Sequence, residues 1–237
     1  MESDLALMEL QVEALFIHDD RGRLRCVNEP GEPAAPRFFL GRTGAGNLWR
    51  FGHALPEELV QRLEELLSAE PVSPDLIESP VCLSALRSAL AAHAPIRGEF
   101  AGPAYQFPGE IRGTETVIGG RVLAITEQNA ELLRDNFADV IPELAFRQPC
   151  FVVVHGGTAV SMCFSARLTA RAAEAGVGTL EAFRGHGYAS AVTAAWALAV
   201  RAGGRRPLYS TSWDNLASQG VARRLGLSIY GADLWIR

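Results

Sequence analysis

Short stretches in which apolar and polar residues alternate are interleaved along this chain with longer ones in which apolar residues recur every three or four positions. The two periods predict strands and helices. Val12 to His18 alternates, Asp19-Asp20-Arg21-Gly22 supplies turn residues, and Arg23 to Val27 resumes the extended pattern, which predicts a hairpin. A second pair, Arg37 to Leu40 and Asn47 to Phe51, is joined by Gly41-Arg42-Thr43-Gly44-Ala45-Gly46. A phosphate loop would need Lys and then Ser or Thr after its last glycine, followed by a helix. Asn47-Leu48-Trp49 follows instead in a strand-like run, so these glycines read as a hairpin loop and not as a nucleotide site. Pro56 at the first helical position, Glu57 and Glu58 in the first turn, and Leu59, Leu63, Leu66 and Leu67 on one face predict an amphipathic helix to about Ala69. Pro71 to Pro80 is a connection, and Leu83, Leu86 and Leu90 place a second helix over Val81 to Ala92.

The run Pro95 to Gly113, with three prolines and four glycines, marks the expected boundary between an α+β region over 1–113, of unassigned role, and a domain over 114–237. Thr116 to Ile125 looks extended, and Thr126 caps a helix with Leu132, Leu133 and Phe137 inward. Phe151 to His155 and Thr158 to Phe164 flank Gly156-Gly157, a two-residue hairpin signal, with His155 at the turn edge. A strand from about Ala173 to Leu180, a helix from Gly187 to Ala202, a strand over Leu208 to Trp213, a helix from Leu216 to Leu225 and a strand over Leu227 to Ile236 complete the chain.

Composition narrows the class of protein. With 48% hydrophobic and 21% charged residues the chain reads as an ordinary soluble domain, and no apolar run approaches the roughly 20 residues of a membrane span. The start, Met1-Glu2-Ser3-Asp4, is acidic and no apolar segment follows, so the expected location is the cytoplasm. Cys26, Cys82, Cys150 and Cys163 form no C-x-x-C pair, which argues against a structural metal or a disulfide framework. A net charge of -5 argues against a general nucleic-acid binder. From Arg171 onward, however, 8 arginines face 4 acids, a balance that suits an anionic ligand in that half and a cationic one nearer the other. All 22 basic residues are arginine, so lysine self-acetylation is excluded.

At Arg184 the chain leaves a strand, passes through Gly185-His186-Gly187 and enters a helix whose inward face is Val192, Trp196, Ala199 and Val200. The first N–H groups of a helix have no intrahelical acceptor and its dipole adds partial positive charge there, so such a turn can hold a pyrophosphate. Glycines let the backbone approach the ligand.

Here the sequence resembles the GNAT acetyltransferase superfamily. The family's R-x-x-G-x-A or G turn is met by Arg184, Gly187 and Ala189, preceded by Glu174-Ala175-Gly176-Val177-Gly178-Thr179-Leu180, a glycine-bearing strand of the kind that splays at a bulge. Trp213-Asp214-Asn215-Leu216-Ala217-Ser218 and Arg223-Arg224-Leu225-Gly226-Leu227 look like its Asn-containing helix start and its closing turn. The resemblance covers about residues 116–237. It implies an α/β fold with a mixed, mostly antiparallel sheet flanked by helices, to which the N-terminal α+β region is an addition. It implies acetyl-CoA as co-substrate, held by Val177, Thr179, Leu180, Arg184, Gly185, His186, Gly187, Tyr188, Ala189, Asn215 and Ser218.

The implied reaction is acetyl transfer to a primary amine of a small molecule or peptide. A base must take a proton from the ammonium form, and Glu174, ten residues before Arg184, stands where several relatives place a carboxylate. A backbone N–H near Thr179 or Leu180 would polarise the thioester carbonyl. Many relatives carry a tyrosine seven residues after the helix-start asparagine to protonate the leaving thiolate, and Ala222 stands there. Tyr209 and Tyr188 are the phenols nearby in sequence, core or loop packing being the alternative for each. Asn215 and Ser218 suit helix capping whether or not they also touch the ligand. A second reading, acetyl-CoA binding without turnover as a sensor or scaffold, stays open beside the enzyme.

Overall fold

The computed structural model describes residues 2–111, 117 and 119–237, which divide into two compact units, Met1–Ala104 with Thr211–Asp214 and Ile229–Arg237, and Tyr105–Ser210 with Asn215–Ser228. The boundary expected between residues 113 and 114 lies outside the described residues. The first half of the chain forms α1 (Asp4–Leu15), β1 (Phe16–His18), β2 (Leu24–Val27), β3 (Phe38–Thr43), β4 (Gly46–Phe51), α2 (Glu57–Ser68), α3 (Leu83–His93) and β5 (Glu99–Gln106). The second forms β6 (Arg121–Ala124), β7 (Cys150–His155), β8 (Thr158–Leu168), β9 (Ala172–Thr179), α4 (Tyr188–Ala202), β10 (Arg206–Ser210), α5 (Leu216–Arg224) and β11 (Ser228–Ile236). The architecture is mixed α/β, with mostly antiparallel strands flanked by helices.

In the first unit the strand order is β4-β3-β11-β5, and β11 pairs antiparallel with β3. Phe38, Leu40, Leu234 and Ile236 meet Leu63, Leu67, Leu86 and Leu90 of α2 and α3 in one apolar cluster, as the predicted leucine stripes require. Two expectations need correction. Val12 to Leu15 are the last turn of α1, not the start of a strand. That helix is capped by Ser3 and buries Leu7, Met8, Leu10, Gln11, Val12, Ala14 and Leu15 around most of its circumference, so it shows no single stripe and its end mimics strand alternation. The hairpin itself is shorter, β1 against β2, with the Asp19 carboxylate accepting the N–H groups of Arg21 and Arg23. Strand β5, inside the proline- and glycine-rich run, was not foreseen. There Gly102 packs so closely on the backbone of Thr211 that a Cβ would lie 1.7 Å from its carbonyl oxygen. Pro56 is the N-cap of α2 and not its first helical residue.

The second unit has the order β10-β9-β8-β7-β6, antiparallel throughout except for the parallel pair β9 and β10. The hairpin at Gly156-Gly157 forms as expected. Of the strand read over Thr116 to Ile125, residues 116 and 118 lie outside the described residues, and β6 occupies its end. Thr126 caps as expected, but the helix after it is two 3₁₀ segments, Glu127–Leu133, within which Asn129 leaves helical geometry at φ -131, and Ala138–Glu143, which contains Pro142. Helix α4 buries Val192, Trp196 and Val200 as predicted, whereas Ala199 is only half-buried. Trp196 satisfies its indole N–H on Ser165 Oγ at 3.2 Å. Among the described residues no helix is long and apolar enough to cross a membrane.

Candidate functional site

The site begins where two parallel strands part. The register of β9 with β10 runs from Ala172 and Arg206 to Glu174 and Leu208, yet β9 continues to Thr179 and β10 to Ser210. Beyond Glu174, β9 keeps only its antiparallel neighbour β8, with Ser161 opposite Thr179 and Cys163 opposite Val177. Leu180 donates its N–H to Val160 O at 3.0 Å. Antiparallel alternation then turns the N–H and C=O of Gly178 toward β8 and those of Val177 and Thr179 away from it, into the fork. A bulge between Ser165 and Arg167 shifts the register just before the fork and sets Arg167 opposite Glu174.

Helix α4 starts beside the fork's open end. Gly185 and Gly187 have φ of 82° and 81°, the left-handed region that glycine enters without a Cβ penalty, and Gly187 is the N-cap. The first intrahelical bond is from Ala191 N–H to Gly187 O, leaving the earlier amides directed past the helix end. A cleft of about 590 Å³ runs from Val177, Gly178 and Thr179 across Arg184, Gly185, Gly187, Tyr188, Ala189 and Ser190 to Asn215, Ser218, Val221 and Arg224 of α5. It thus joins strand amides, a helix N-terminus and two arginines, Arg184 and Arg224, in one continuous concavity.

Glu174 lies at the base of the fork, 3% exposed. Ser210 Oγ donates to its Oε1 at 2.6 Å, and its Oε2 is buried with no hydrogen-bond partner among the described residues. Burial raises its carboxyl above the ordinary glutamate range, opposed by the Ser210 hydrogen bond and the charge of Arg167. Tyr209, beside Ser210 on β10, lines the cleft and is 2% exposed, with Oη 2.7 Å from Ser218 Oγ. Desolvation pushes its phenol up to about 12. Asn215 caps α5 by accepting Ser218 N–H at 3.0 Å, and Ala222 is fully buried in the core. Among the described residues no group of His, Cys, Asp and Glu is arranged to hold a metal ion.

Of the residues expected to hold the donor, Val177, Thr179, Arg184, Gly185, Gly187, Tyr188, Ala189, Asn215 and Ser218 come together along this cleft. Leu180 and His186 do not line it. The Leu180 N–H is used within the sheet, which moves the candidate carbonyl donor to Thr179 or Val177, and His186 turns its Nδ1 to within 2.9 Å of Arg184 O while its ring is exposed. Sequence reasoning missed Phe183, Ser190, Tyr209, Ala217, Gly220, Val221 and Arg224 as lining residues. For two of these a signal was present, since Val221 and Arg224 follow Ser218 at three-residue spacing along the predicted helix.

Residues 142–231 match the model of the GNAT acetyltransferase family. No curated protein matches the chain. Among solved structures, a GCN5-related N-acetyltransferase-like protein from Streptococcus suis 89/1591 aligns with a TM-score of 0.52 at 18% identity, covering 85% of this chain and 84% of that one. A GCN5-related N-acetyltransferase from Sphaerobacter thermophilus aligns with a TM-score of 0.49 at 18% identity, over 90% and 79%. A GNAT-family protein described as an acetyltransferase, from Novosphingobium aromaticivorans DSM 12444, aligns with a TM-score of 0.48 at 15% identity, over 60% of this chain and only 65% of that one. At these identities the Streptococcus likeness is one of fold.

Proposed function

We propose that this chain, in which residues 142–231 form a GNAT acetyltransferase domain, transfers the acetyl group of acetyl-CoA to a primary amine of a small molecule or peptide. The observation that carries the reading is the fork, in which the Val177 and Thr179 amides face a cleft that ends on the glycine turn of α4. Such a cleft suits a long donor with amides in its middle and phosphates at one end. The pantetheine amides pair with the free edge of β9 and the pyrophosphate lies over Gly185 to Ala189.

In this reading the incoming ammonium gives a proton to Glu174, directly or through a water, using the unpartnered Oε2. The amine nitrogen bonds to the thioester carbon while Thr179 or Val177 N–H donates to the carbonyl oxygen; the carbonyl then re-forms, the C–S bond breaks with its electron pair on sulfur, and the nitrogen releases its second proton to solvent. Tyr209, whose hydroxyl donates to Ser218 O at 3.2 Å, is not suited to give its proton to the departing sulfur. A phenol pushed up to about 12 holds its hydrogen against a thiolate whose conjugate thiol titrates near ~8.5. The sulfur is then protonated from solvent, and Ala222 in place of the family's tyrosine is no obstacle.

One observation favours the rival reading of donor binding without turnover, namely that Glu174 is only 3% exposed. Thiol release across a panel of amines, measured with the parent and with Glu174→Gln, separates the two. The enzyme reading expects kcat/KM to fall by about 100-fold or more in the variant with acetyl-CoA affinity unchanged. If the parent binds acetyl-CoA and acetylates no amine in the panel, the sensor reading takes its place.

A further inference from the structure

Arg42, on β3 in the first unit, is a buried cation, 5% exposed. It stands opposite Ala232 of β11, on the face of the sheet that Leu40 and Leu234 turn toward α3. Its Nη1 donates to Glu78 O and its Nη2 to Asp75 O at 3.1 Å, while Nε is buried with no hydrogen-bond partner among the described residues. No ion pair among the described residues includes Arg42. The acids of the neighbouring segments are engaged elsewhere. The Asp75 carboxylate accepts the N–H groups of Ile77 and Glu78, that of Glu70 accepts those of Val81 and Cys82, that of Asp233 accepts from Gln11, and Glu99 pairs with Arg87. Holding a loop by two backbone carbonyls needs hydrogen-bond donors, which a neutral side chain supplies without the cost of desolvating a charge. That role leaves the charge of Arg42 unexplained.

Arg42 lines a cavity of about 180 Å³ whose residues all belong to this unit. The rest of its lining is largely apolar, with Leu83 of α3, Phe100 of β5, Trp213 and Leu234, and with Leu76 and Ile77 of the loop that Arg42 holds. Its volume lies below the roughly 300 Å³ at which drug-sized pockets begin, so its occupant is small. We propose that this cavity binds a small monocarboxylate with an apolar body, the carboxylate on Arg42 and the body among Leu83, Phe100 and Trp213. A monoanion is chosen over a phosphate because one buried guanidinium balances one charge, and Arg87, which also lines the cavity, already has Glu99. The site gives the N-terminal region a ligand of its own and does not depend on acetyl-CoA binding in the other unit.

The test is calorimetric titration of the full chain with sodium 3-phenylpropanoate and sodium 4-methylpentanoate, and with the uncharged amide of each, using the parent, Arg42→Gln and Ala101→Leu. Ala101 lines the cavity and is half-buried, so leucine there takes up space in it while Arg42 stays in place. Expected for the parent is saturable binding of a carboxylate with Kd on the order of 0.1–1 mM, at least about tenfold tighter than its amide. The preference for the carboxylate disappears in Arg42→Gln, and Ala101→Leu loses about tenfold or more in affinity. Binding of neither carboxylate up to about 10 mM, an amide bound as tightly as its acid, or an unchanged preference in Arg42→Gln would each overturn the assignment. Should thermal unfolding show that Arg42→Gln does not fold, the acid and amide titrations of the parent and of Ala101→Leu decide, since unaltered carboxylate binding in Ala101→Leu would place the ligand outside this cavity.

Discussion

Glu174 is a carboxylate whose burial is only partly compensated. One oxygen has Ser210, the other has no hydrogen bond among the described residues, and desolvation is the largest influence on its titration. Because its carboxyl is raised above the ordinary 4.5, the folded chain holds more protons than the unfolded one between that value and the native one. Stability therefore falls as pH rises through that window and is lowest, as far as this group decides, above it. Glu174→Gln is accordingly expected to raise Tm at pH 7 by a few degrees, at about 2–4 °C per kcal/mol for a chain of this size. The gain should shrink as pH is lowered toward 4.5, and thermal unfolding at both pH values measures it; a variant less stable than the parent at pH 7 would show that the carboxylate is well compensated. The Ser210 hydrogen bond works in the opposite direction, so Ser210→Ala should move the acid limb of the kcat/KM profile to higher pH. The spacing of Glu174 from Arg184 was legible in the sequence. Its burial was not, because it sits between β8 and β10, and no local residue pattern specifies which neighbours a strand takes.

Among the elements, an apolar period led to the right result for α2 and α4 but not after Thr126, where two 3₁₀ segments stand in place of the expected helix. Helices α2 and α4 and the hairpin at Gly156-Gly157 lie where apolar spacing and turn residues put them, whereas the loop expected over Gly41 to Gly46 is shorter, Gly44-Ala45, because β3 and β4 extend into it. Helix α1, buried around most of its circumference, and β5, which carries Pro103 and Gly102 inside a strand, contradict the local rules and are held by tertiary packing. The fork was partly legible, since the glycines of β9 signal close backbone approach, but Gly176 answers to packing. A Cβ there would lie 2.7 Å from the Phe164 ring, so Gly176→Val is expected to destabilise the β8 and β9 pair by about 1–3 kcal/mol, measured by denaturant unfolding. Trp196, fully buried on α4 and bonded to Ser165, anchors the helix whose start forms the anion end of the cleft. Trp196→Ala should cost about 3–5 kcal/mol in the same experiment.

At the scale of the molecule, sequence order and compactness part company. The C-terminal strand β11 lies between β3 and β5 in the first unit, so the half of the chain that carries the family match also supplies the other unit with a central strand. No local pattern announces this, because a strand's sequence specifies which residues face a core and not which neighbours it takes. Ending the chain at residue 228 is expected to unfold the first unit, seen as lost protection of β3 amides in hydrogen exchange; retained protection would mean that β3 does not depend on β11. The claim on which the functional account turns is that the cleft between the β9 fork and α4 binds acetyl-CoA. Gly187 is a poor place to test it by charge reversal, since any side chain at φ 81° strains the turn, whereas Ala189 lines the cleft in the first turn of α4, where an acid suits the helix. Calorimetric titration with acetyl-CoA is therefore made on the parent and on Ala189→Glu. The account predicts saturable binding by the parent and a loss of about tenfold or more in the folded variant, and a parent that gives no binding, or a variant that binds equally well, would contradict it.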